Sequence, residues 1–149
     1  MKARLVFGAM MVLASPSGLA DQSAGSPRMN YLLHCSGCHR QDGSGTPVSG
    51  VPGFRGRLGH FLKVEGGREY LIQVPGTSQS PLSDAETAAL LNWLLKTFSA
   101  SELPADAAPI TTGEVARIRR EPLVDVPGRR AYLTDVLLNT FGVDLRGYR

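Results

Sequence analysis

The run Cys35-Ser36-Gly37-Cys38-His39 contains both cysteines of this 149-residue chain, with a histidine directly after the second. A C-x-x-C-H run reads as a covalent c-type haem attachment site. Residues three and four apart on a helical turn share a face, so Cys35, Cys38 and His39 address one planar ligand together. The two thiols form thioethers with the haem vinyl groups, and the His39 imidazole takes the iron as proximal ligand. Two other readings use the same residues. A thioredoxin-like dithiol requires a βαβ setting with a strand feeding the motif. The segment ahead reads instead as a short helix, with Ser26 as N-cap and Pro27 at its first position. Zinc usually needs a second close-spaced ligand pair, and the remaining histidines, His34 and His60, form none.

The N-terminus agrees with haem. Lys2 and Arg4 precede an apolar run from Leu5 to Ala14, and Gly18-Leu19-Ala20 supplies small residues for cleavage. This is the pattern of a secretory signal peptide over residues 1–20, with the mature chain starting near Asp21 in the periplasm. The apolar run is short for a membrane span, and no membrane span is expected after cleavage. The formal charge is +3, and losing Lys2 and Arg4 leaves about +1. The charge therefore makes no case for nucleic acid. Basic residues gather late, at Arg117, Arg119, Arg120, Arg129, Arg130, Arg146 and Arg149. They read as a solvated surface or as a face that steers an acidic redox partner.

Residues 26–100 read as one small helical domain. Its first helix carries Tyr31, Leu32 and the haem motif, and a Gly/Pro-rich loop follows from Gln41 to about Gly56. Short helical turns are predicted around Leu58–Val64 and Arg68–Val74. Ser83 with Glu86 forms a capping box for a helix from Asp84 to about Phe98, where Ala88, Leu91, Leu94, Leu95 and Phe98 recur at helical spacing. About 75 residues make a marginal apolar core, and a covalently held ring supplies what is missing. Ser101 to Pro109 reads as a linker in a 101–149 extension. Thr111 or Thr112 caps a helix over Gly113–Arg120, and a second runs from Arg130 to Phe141. The extension either folds back on the first domain or offers its apolar stripe to a partner.

The stretch Ser26–Ala100 resembles the small class I c-type cytochromes, an all-α wrapper around one haem. Cys35–His39 followed by Asp42-Gly43-Ser44-Gly45 is similar to that family's haem motif and glycine loop. Gly50-Val51-Pro52-Gly53-Phe54-Arg55-Gly56 looks like its proline segment. The resemblance implies that the Pro52 carbonyl accepts a hydrogen bond from the His39 ring N–H. It also implies that Tyr31 or Leu32 meets the Trp93–Leu94 region of the closing helix. The departure is the sixth iron ligand. That family usually takes a methionine from the loop before the last helix, and Gln73–Ser80 contains none. The methionines are Met1, Met10, Met11 and Met29. His60 is the expected replacement, with Lys63 or an open, water-bound position as alternatives.

These readings imply a periplasmic monohaem carrier of single electrons, with haem c as cofactor. A periplasmic dehydrogenase, a quinoprotein for example, is the expected donor, and an oxidase or another cytochrome the acceptor. A carrier needs no substrate pocket, and no nucleophile motif, paired carboxylates or phosphate loop is visible. Two alternatives are a haem enzyme or gas sensor with an open sixth position, and a subunit clamped into a larger complex by its Ser101–Arg149 tail.

Overall fold

The computed structural model describes residues 25–145, so the signal-peptide reading of residues 1–20 lies outside the described residues, as do Arg146 and Arg149. The described chain is helical, with no strand beyond a single bridge between Thr46 and Val51. Helix α1 (Pro27–His34) begins where Ser26 accepts the Met29 N–H and Pro27 occupies the first turn. It was expected to run through the haem motif, but it breaks at Cys35, whose φ of −126° leaves the helical range. A separate turn, α2 (Ser36–His39), then carries Cys38 and His39.

A 3₁₀ turn over Leu58–Lys63 leads into α3 (Gly67–Gln73). The Gln73–Ser80 segment, expected as a loop, contains a further turn, α4 (Pro75–Ser78). Helix α5 (Asp84–Phe98) starts at the Ser83–Glu86 capping box, a reciprocal pair that satisfies two of the helix's orphan N–H groups. It crosses α1, placing the Tyr31 ring 5.5 Å from both Trp93 and Phe98.

The extension folds back. Helix α6 (Thr112–Ile118) has its own capping box from Thr111 and Glu114. Helix α7 starts earlier than expected and spans Val126–Phe141, because Asp125 caps the Gly128 N–H and a proline sits in the first turn. Ile110, Val115, Leu133 and Leu137 are buried in the same core as Tyr31, Phe61 and Leu94, so that core does not divide at residue 100. The stretch read as a linker is tied down as well. Asn92 exchanges two 2.8 Å hydrogen bonds with the Ile110 backbone, and Arg68 donates to the Ala108 and Pro109 carbonyls.

Candidate haem site

The site is a cavity of about 340 Å³ with Cys35, Cys38 and His39 in its lining. Apolar side chains from the Pro52 loop, α3 and α5 form most of its wall, among them Phe54, Leu58, Leu71, Leu91 and Leu94. Its size is that of a cofactor pocket. Cys35 and Cys38 are free thiols, Cys38 exposed and Cys35 partly buried. Burial pushes the Cys35 thiol up, and Cys38 adds to the effect. A redox dithiol relies on a depressed thiol and its thiolate, so that reading loses support. Among the described residues, no three His, Cys, Asp or Glu side chains converge as a metal site, and a zinc reading has no ligand set.

His39 is held from two sides. Its Nδ1 lies 3.0 Å from the Pro52 carbonyl oxygen, and its ring stacks on Phe54 at 4.1 Å between centroids. A carbonyl oxygen only accepts, so Nδ1 carries the proton and donates it. Nε2 is then left as a lone-pair donor, the form an iron ligand requires. Burial keeps the imidazole neutral by lowering its pKa; the Pro52 hydrogen bond raises it, and the Arg130 charge lowers it further. The loop geometry that makes this contact depends on glycine. Gly45 has φ +75°, and a Cβ there would sit 2.5 Å from the Pro52 carbonyl carbon. The chain turns out of the motif through Arg40, at φ 61°, and the Tyr31 hydroxyl donates to the Arg40 carbonyl.

His60 is not among the residues lining this cavity, which departs from the expectation that it replaces methionine. The reason is local. Residues three apart eclipse in a 3₁₀ helix, so Leu58 and Phe61 share the buried side of the Leu58–Lys63 turn. His60 is turned off that side, and burial, Lys63 and Glu102 set its electrostatics. Its Nδ1 is buried without a hydrogen-bond partner. Lys63 and Met29 do not line the cavity either.

Among the lining residues that escaped sequence reasoning are Tyr70 on α3 and Arg130 on α7. Arg130 Nε donates to the Tyr70 hydroxyl at 2.8 Å. The extension also secures the segment leading to α5. Arg119 donates to the carbonyls of Ser78, Ser80 and Leu82 and pairs with Asp84 at 3.1 Å. No local sequence signal marks these partners, which lie dozens of residues apart.

A helical fold around an apolar cavity, with two thiols and one oriented imidazole in its lining, defines a protein that binds haem covalently. No protein-family model matches the chain. It is similar to a cytochrome c-552 of Thermus thermophilus, with 33% identity over 132 residues that cover 76% of this chain and 87% of that protein. A second cytochrome c-552 of Thermus thermophilus is 33% identical over 107 residues, covering 60% of this chain and 81% of its own. The chain belongs to the c-type cytochrome family. Its cofactor is haem c, covalently bound, with iron, and the cavity fits that group by size, apolar lining and donor set.

Proposed function

We propose that the protein is a periplasmic monohaem cytochrome that carries single electrons between a dehydrogenase and a respiratory acceptor. The observation that carries this reading is the 3.0 Å contact between His39 Nδ1 and the Pro52 carbonyl, made in the cavity that both cysteines line. When bound, the haem supplies a one-electron ferric/ferrous couple. Everything else is the work of this chain. Cys35 and Cys38 anchor the ring, and His39 presents Nε2 to the iron. Pro52 holds the imidazole in one orientation, and Leu58, Leu91 and Leu94 keep water from the ring.

Cys38 is exposed, so the attachment end of the cavity reaches the surface. Leu33 and Val48, on the segments beside it, are exposed as well, an arrangement that suits brief docking of a redox partner. Export through residues 1–20 would put the chain where such haem attachment takes place. Among the described residues, no helix is long and apolar enough to cross a membrane. His60, which does not line the cavity, is not part of the proposed ligand set.

The test is expression with an intact haem-attachment system, followed by cell fractionation and a pyridine haemochrome spectrum. Covalent haem on a periplasmic chain starting near Asp21, lost in Cys35→Ser and Cys38→Ser, is the expected result. A chain exported without haem would overturn the reading.

A further inference from the structure

One formal charge reaches the wall of a chamber that is otherwise largely apolar, and the C-terminal extension brings it there. Helix α7 turns Val126 and Arg130 toward the cavity, since residues four apart share a helical face. The Arg130 guanidinium is the one formally charged group in the described lining. Its Nε donates to the Tyr70 hydroxyl at 2.8 Å. Tyr70 is itself fixed in the core: it is 4% exposed, and its ring centroid lies 5.1 Å from that of Phe61. Arg130 is partly buried and is engaged elsewhere as well. Such contacts occupy the donors of a guanidinium, but the group stays protonated and keeps its charge. The charge is felt at the His39 ring, where it disfavours a proton.

We propose that Arg130, tethered by Tyr70, raises the reduction potential of the haem through its charge. The proposal rests on the haem reading above and names the residue that tunes the electron carried there. On reduction one electron enters the haem, no bond forms or breaks, and the charge at the iron falls by one unit. A fixed cation nearby therefore disfavours the oxidised form. Apolar walls screen its field less than water does. A unit charge roughly 10 Å away, at an effective dielectric constant of about 20, changes such an equilibrium by about a factor of ten. Burial and nearby charge are among the means by which a protein sets a haem potential. Arg130 ligates nothing in this role, so neither the side of the ring it approaches nor a free donor matters.

The experiment is a spectroelectrochemical titration of the haem-loaded full chain against mediators of known potential, at neutral pH. Arg130→Met removes the charge and keeps a long side chain. It is expected to shift the haem equilibrium about tenfold toward the oxidised form, a fall of about 59 mV. Arg130→Lys keeps the charge and should keep most of the potential. Tyr70→Phe removes the tether and should give a smaller fall in the same direction. Equal falls in Arg130→Met and Arg130→Lys would trace the effect to packing and overturn the proposal. An unchanged or raised potential in Arg130→Met overturns it too. If Arg130→Met fails to fold, Tyr70→Phe, which keeps its ring in the core, carries the test, and an unmoved potential there is the overturning result. A chain without covalent haem overturns the functional reading as well, whereas a haem-loaded chain insensitive to these changes overturns this proposal alone.

Discussion

His39 and Pro52 are joined by a 3.0 Å hydrogen bond from the imidazole Nδ1 to the proline carbonyl oxygen. The contact holds because two backbone segments pass each other with no side chain between them. Gly45 faces the Pro52 carbonyl, and Gly53 in turn faces the Ser44 carbonyl, where a Cβ would come within 2.5 Å. The orientation of the His39 imidazole therefore depends on two glycines, one of which, Gly45, also donates its N–H to the His39 carbonyl at 2.9 Å.

Gly45→Ala is expected to break this arrangement. Alanine at φ +75° is strained, and its methyl would displace the Pro52 carbonyl. The cost should be at least about 2 kcal/mol. Urea denaturation checks the stability, and the yield of covalent haem per chain checks the site.

Arg119→Ala should destabilise the protein by about 2–4 kcal/mol, since each lost hydrogen bond leaves a carbonyl without its donor. The Arg119 side chain is 16% exposed, so water replaces it poorly. Amide exchange should accelerate around residues 78–84 before it does elsewhere.

Glu114 makes stability acid-sensitive. Its hydrogen bonds with Arg68, at 2.7 and 2.9 Å, hold its carboxyl at about 2. The folded state thus gives up this proton more readily than the unfolded one. The stabilisation is complete above the ordinary carboxylate range near 4.5 and is lost as pH falls toward 2. Glu114→Gln should lower stability at neutral pH and flatten the profile across that window. Thermal melts between pH 2 and 6 provide the comparison.

His60→Ala should leave the visible spectrum of both oxidation states unchanged, because His60 does not line the cavity. A change in spin state or Soret position in this variant would return His60 to the iron.

Local chemistry was the legible part of this sequence. Ser83 with Glu86 marks the start of α5, a capping box complete within four residues, while for α6 the sequence left Thr111 and Thr112 open and the structure has Thr111 as the cap. The haem motif was legible from its spacing, and its Pro52 partner from the resemblance to class I c-type cytochromes. The place of His60 was not legible, because a histidine beside Leu58 and Phe61 can face the cavity or not, depending on the 3₁₀ phase. Asp125 and Pro127 do mark the true start of α7, but the apolar spacing from Leu133 onward drew the boundary later. Arg130 and Tyr70 meet across 60 positions. Such a pair is set by how α3 and α7 pack, and neither neighbourhood announces it.

The placement of Val126 and Arg130 in the cavity wall also bears on the order of assembly. The cysteines emerge early during synthesis, about ninety residues ahead of the segment that completes the wall. Until α7 docks, the attachment machinery meets a chain whose cofactor chamber lacks a side. Ring insertion and helix docking thus become coupled events: a chain cut short before Val126 would receive its haem yet fail to enclose it.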